Sequence, residues 1–270
     1  SIGGLYAGTI YDKPGAATSH AESTNSIYVS YSDSMDNGMG VSVAMSMSAS
    51  GANKTDVNID TGFGTIGLGD GQDSAVDSMD GSPAVFSINP YGPRLGASGF
   101  LDGDASSGNS IAYTAPSING FTIKATQGFD NGTNDKTNSV AVKGSVMGVG
   151  LAAGVSMIDY KAAGTADVDP NFFTASYSIA GLNLGYAVYD DDNASTNGEE
   201  TQMGVGTSLM GMGVGVTFAE KDTSTTDTDY MLVSVSKSMG AASFGLDYLE
   251  TDASNAAATD TFAFTYVVGF

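Results

Sequence analysis

The sequence predicts an all-β fold: an antiparallel transmembrane β-barrel of about 16 strands, one domain over residues 1–270. Three observations carry this. Apolar residues recur with a period of two in segments of about ten residues, the length a tilted membrane strand needs. The face between them is Gly, Ala, Ser and Thr, an inventory unsuited to a packed core. Tight Gly- or Asn-rich turns alternate with longer acidic links, as in an up-and-down meander with two unlike ends.

Composition narrows the field. The chain carries 37 Gly, no Cys, no Trp and a net charge of −21, and good helix formers are scarce. Helical folds are therefore poor candidates. Nucleic acid is excluded as a partner because 9 scattered Lys and Arg make no basic stripe to neutralise phosphates. Absent cysteine removes disulfides and thiolate zinc sites. No apolar run is long enough for a membrane helix, and a chain starting at Ser1 fits a mature product whose export signal has been removed.

In chain order, a first strand covers residues 2–11, with an ambiguous inward face. Residues 13–23 read as a long link holding His20, the single histidine, beside Glu22. Ile27, Val29 and Tyr31 alternate with Ser30 and Ser32, and Val41, Val43, Met45 and Met47 with Ser42, Ala44, Ser46 and Ser48. A short strand over 56–60 turns at Thr61-Gly62 into 63–69. Forty residues without apolar period follow, 70–109, and a loop that long inside a compact protein points to function. Alternation resumes at Phe121, Ile123 and Ala125 against Thr122, Lys124 and Thr126, and at Val140 and Val142 against Ala141 and Lys143. It continues through Phe173, Tyr177, Leu184, Tyr186, Met203, Val205, Val214, Val216, Val233, Val235, Phe244, Leu246, Phe262 and Phe264. An even strand count puts both termini at the short-turn end and the anchors of the long loop, Gly69 and Ser110, at the other rim. Aromatics near strand ends, Phe129, Tyr160, Phe172, Tyr189, Phe218, Tyr230, Tyr248, Phe262 and Phe270, read as interfacial girdles. The Met residues of the apolar face read as lipid-facing filler.

Three segments resemble the Gram-negative general diffusion porins, in particular the sixteen-stranded alphaproteobacterial type. The terminal strand Thr261-Phe-Ala-Phe-Thr-Tyr-Val-Val-Gly-Phe270 is similar to the assembly signal of outer-membrane barrels. Gly62-Phe-Gly-Thr-Ile-Gly-Leu-Gly-Asp70 resembles the strand before the constriction loop, and Ile111-Ala-Tyr-Thr-Ala-Pro-Ser-Ile-Asn-Gly-Phe121 the hairpin after it. The resemblance implies that loop 70–109 folds into the barrel and narrows the pore. It further implies a homotrimer in the lipid of the bacterial outer membrane, passing small solutes and ions. One feature departs from the family's pattern, the cluster of wall arginines, since the only Arg is Arg94 inside the loop.

The candidate constriction follows. The loop carries Asp70, Asp73, Asp77, Asp80, Asp102 and Asp104, and a helical turn from Ser74 to Met79 would align Asp73, Asp77 and Asp80 on one face. The alternative is a set of solvated surface acids. Arg94 reads as a tether for the loop. Lys124 and Lys143 stand on the inward parity of adjacent strands, either as selectivity residues or as charges satisfied by neighbouring acids. The runs Asp190 to Asp192 and Asp167 to Asp169 would suit a weakly held divalent cation but lack the spacing of a calcium loop, so no cofactor is expected. With one histidine, no nucleophile and base can be assembled, which argues against an enzyme. Gly211-Met-Gly-Val-Gly215 has no following helix and carries no nucleotide weight.

The expected function is a passive outer-membrane channel with a preference for cations. The alternatives are a porin that prefers one nutrient and, in a different class, an acidic surface-layer or adhesive β protein.

Overall fold

The computed structural model describes residues 1–12, 19–48, 53–70, 72–81, 110–129, 136–160, 167–190 and 198–269. Its strands are β1 (Ile2–Asp12), β2 (Ser19–Ser34), β3 (Gly40–Ser48), β4 (Asn53–Asp60), β5 (Thr65–Gly69), β6 (Ser110–Thr114), β7 (Phe121–Gly128) and β8 (Lys136–Val146). The second half holds β9 (Val149–Asp159), β10 (Asn171–Ile179), β11 (Leu182–Asp190), β12 (Glu199–Leu209), β13 (Met212–Asp222), β14 (Asp227–Met239), β15 (Ala242–Ala253) and β16 (Thr259–Gly269). One helix, α1 (Ala75–Met79), follows β5. Every strand pairs antiparallel with its sequence neighbours, and β1 pairs with β16 from Leu5↔Gly269 to Asp12↔Phe262. That last ladder closes the barrel. A closed sheet leaves no unpaired strand edge, which is the condition for crossing lipid with strands.

Two-residue turns build the short-turn end. Asn119-Gly120, Met147-Gly148, Ala180-Gly181 and Met210-Gly211 all have positive φ at both positions, the type I′ geometry whose twist matches that of the flanking strands. Glycine takes the second place each time because its left-handed backbone costs nothing there.

Alternation separates the two faces as the sequence predicts. Ile27, Met45, Phe173, Met203, Phe218, Leu246 and Phe262 are exposed on the outer wall, while Thr9, Ala152, Thr217, Ser234, Ala263 and Thr265 are buried on the inner one. Three corrections concern particular residues. His20 and Glu22 belong to β2, not to a loop: β2 is 16 residues long and runs past a register shift between Ala7 and Gly8 of β1. Phe172 and Tyr189 are 3% and 1% exposed and point inward, so they are not girdle residues. Tyr230 also points inward, packing against Ala219, Leu232 and Leu249. Their position near strand ends misleads because strand parity, not height, decides the face. Phe270 lies outside the described residues.

The wall is lowest where the long loop leaves and returns. β5 and β6 have five residues each, and Gly69 pairs with Ser110, so both anchors stand at the long-loop rim as expected.

Candidate pore constriction

The entry to the loop is tied down at its first residue. Asp70 accepts a hydrogen bond from the Thr55 backbone N–H, and its own N–H donates to the Thr55 carbonyl at 3.2 Å. Gly69, at φ 137°, is required here, since a Cβ would strike the Thr55 carbonyl. Two residues later, the Gln72 amide donates to Asp56 Oδ1 and Asn58 Oδ1, both at 3.3 Å, in the space left by the missing side chain of Gly67. Asp70 is thereby an anchor on β4, set apart from the other acids.

The helical turn expected from Ser74 to Met79 is present as α1. Ser74 caps it, accepting from the Asp77 N–H at 3.0 Å, and the Ala75 N–H donates to Ser139 Oγ on β8 at 2.8 Å. Ala75, Val76 and Met79 are buried against Ala141, Ala152, Ala187, Phe172 and Tyr189. Small wall residues thus have a definite purpose here. Three alanines leave a hollow for the helix, and two inward aromatics close its side.

Burying that face divides the acids. Asp73 and Asp77 lie beside Lys124, whose ammonium donates to the Asp73 carbonyl at 3.0 Å, and Asp56 on β4, three strands along the wall, acts on the same lysine. Asp80 stands at the far end of α1, where its N–H donates to the Val76 carbonyl at 2.8 Å. Burial pushes the Asp80 carboxyl up to about 6, and the Lys143 ammonium acts in the opposite direction. The single acidic face expected for Asp73, Asp77 and Asp80 is therefore replaced by two charge groups, one on each wall lysine. Arg94, Asp102 and Asp104 lie outside the described residues.

Sequence reasoning left out Asp56 and Gln72. Asp56, Asn58 and Asp60 alternate with Val57 and Ile59, so strand parity would have found the first. Gln72 carried no such signal, because its role arises only from loop geometry. The wall also presents Glu200 and Asp247, both inward and fully buried, with the Gln202 amide donating to Glu200 Oε1 at 2.6 Å. Among the described residues, no group of three or more acidic or histidine side chains could hold a metal ion. Asp167 accepts from the Tyr160 N–H at 3.0 Å, and Asp191 and Asp192 lie outside the described residues.

The family model of the Gram-negative porins matches residues 2–269. The chain belongs to that family. Solved structures agree on the architecture. In vitro folded OmpT, an outer membrane protein of Vibrio cholerae, is 15% identical with a TM-score of 0.77, covering 100% of this chain and 97% of that one, and is known also in a trimer form. An anion-selective porin from Comamonas acidovorans is 13% identical with a TM-score of 0.76, covering 100% and 99%. A mutant of the Rh. blastica porin is 19% identical with a TM-score of 0.70, covering 100% and 99%. No curated protein sequence gives a significant match. Membership makes this porin a bacterial outer-membrane channel and sets aside the surface-layer reading. Family and fold point to a channel, not an enzyme.

Proposed function

We propose that this porin is a passive diffusion pore that prefers cations. The observation that carries the reading is the state of Lys124. Its ammonium is spent on the Asp73 carbonyl and faced by Asp56, Asp73 and Asp77, so three carboxylates meet one base where the loop enters α1. Asp80 offsets Lys143, and the whole chain carries −21. A unit charge about 6 Å from a passing ion is worth about 0.7 kcal/mol in bulk water, roughly a threefold bias. An excess of two carboxylates over the one base at this contact then favours cations by about an order of magnitude.

The Comamonas neighbour is instructive, because an anion-selective porin has the same fold. Selectivity belongs to the side chains of the constriction and not to the barrel. We take the assembly to be a homotrimer, by analogy with the trimer form of OmpT.

The purified protein in a planar bilayer under a KCl gradient should give a cation-selective reversal potential, and Asp77→Asn should reduce it. Zero or anion selectivity would sink the mechanism. Chemical crosslinking in detergent reads the assembly: a ladder ending at three chains supports the trimer, and a single monomer band refutes it.

A further inference from the structure

The two wall lysines have different surroundings. Lys124 is bound to the loop backbone, whereas Lys143 is exposed and makes no hydrogen bond among the described residues. Beside it the wall opens into a recess of about 260 Å³. Gly81 of the loop forms the upper lip, with Lys143, Gly150, Ala152, Thr174 and Ser176 lining it on the lumenal side. The recess runs from the end of α1 toward the short-turn rim, because Ser176 pairs with Gly150 just above the β8–β9 turn.

Gly150 leaves room for a hydroxyl in it. A Cβ on Gly150 would come within 2.6 Å of Ser176 Oγ, whereas one on Gly81 would make ordinary contact with Thr174 Oγ1 at 3.6 Å. Two hydroxyls therefore border the same space as Lys143, whose charged neighbour is Asp80 at the end of α1. The volume is just below the roughly 300 Å³ at which drug-sized sites begin, so the occupant is smaller than a drug.

We propose that this recess is a subsite for a small hydroxylated carboxylate in transit, the ammonium of Lys143 taking the carboxylate and the Thr174 and Ser176 hydroxyls taking the solute's own hydroxyls. Lys is a point donor with three N–H groups and no acceptor, so it selects an anionic head, while hydroxyls serve as donor or acceptor to a polyol. The neighbouring Asp80 carboxyl, protonated below about 6, opposes anion binding as pH rises. The inference rests on the reading of the chain as a diffusion channel and gives that channel a preferred class of solute.

Gluconate and glucose make the test, being matched in size and hydroxyls and differing in the carboxylate. Ligand-observed NMR on the whole porin in detergent reads binding, and planar-bilayer conductance reads transit. Gluconate should bind saturably and reduce the KCl conductance, and glucose should do neither at the same concentration. Lys143→Gln should weaken gluconate about five- to tenfold, the loss of one partly screened charge pair, and Lys143→Arg should restore most of it. Equal binding of the two sugars, or gluconate affinity unchanged in Lys143→Gln, would overturn the subsite. A cation-selective pore without gluconate binding sinks the subsite alone, and gluconate binding in an anion-selective pore sinks only the cation preference. The NMR arm decides the subsite even if no conductance is seen.

Discussion

At the scale of single residues, the constriction is a matter of which charges are already spoken for. Asp80 is the titrating member. Its carboxyl is raised from 3.8 to about 6 by burial, so the stability it lends is fully present below its ordinary value and is lost as pH rises toward and through 6. The same step adds a negative charge to the pore. Cation preference should therefore rise between pH 5 and 7.5 with a midpoint near 6, by up to about threefold. Asp80→Asn should flatten that step, and reversal potentials across the pH range will show whether it does; an unchanged titration in the variant refutes the assignment. Lys124 makes the complementary case. Removing its tether in Lys124→Met should both free the loop, seen as added current noise, and raise cation preference by roughly threefold. Lys124→Arg should keep the tether and restore a quiet channel. A variant that shifts selectivity without noise would mean that Lys124 holds nothing.

At the scale of elements, α1 has five residues and is far too short to persist alone. It exists because the wall receives it. Ala141, Ala152 and Ala187 make the hollow, and Ser139 satisfies the N–H of Ala75 that the helix cannot. Ala152→Phe should overpack the hollow at a cost of about 1–3 kcal/mol and push the helix into the lumen, lowering single-channel conductance. Ala153→Phe, one residue on and facing outward, should leave conductance as it was. Equal conductance in both variants would show that α1 does not depend on that wall. Ser139→Ala should act in the same direction by orphaning a buried N–H, worth about 1–3 kcal/mol, and proteolysis of the loop will read the loosening.

At the scale of the whole molecule, closure makes the outer face the lipid face. Leu246 lies mid-strand in β15, 55% exposed, beside Val235 and Phe264. An arginine there faces hydrocarbon, so Leu246→Arg should destabilise folding into vesicles by roughly 2–4 kcal/mol, measured by urea titration. Ser236→Arg, one residue beyond Val235 and facing inward, should cost far less. Similar losses at both positions would contradict the assignment of faces.

Strand parity made much of this legible in advance. The count of strands, the turns at Gly120, Gly148, Gly181 and Gly211, the rim position of Gly69 and Ser110, and the inward direction of Lys124 and Lys143 all follow from a period of two, which is local. The helical turn after Ser74 was readable for the same reason, through its cap and the spacing of its acids. Other features were not local. Tyr189 and Phe172 stand near strand ends as girdle aromatics do, yet they pack on α1, and the bond of Asp70 to Thr55 is set by loop geometry. The sequence by itself determined the barrel, its two faces and its excess of acid, because each is written into every strand. Only the tertiary structure decided that Lys124 holds the loop backbone while Lys143 faces Asp80 beside an open recess. That depends on where a segment remote in sequence comes to rest across the wall, and pairing of remote segments leaves no period to read.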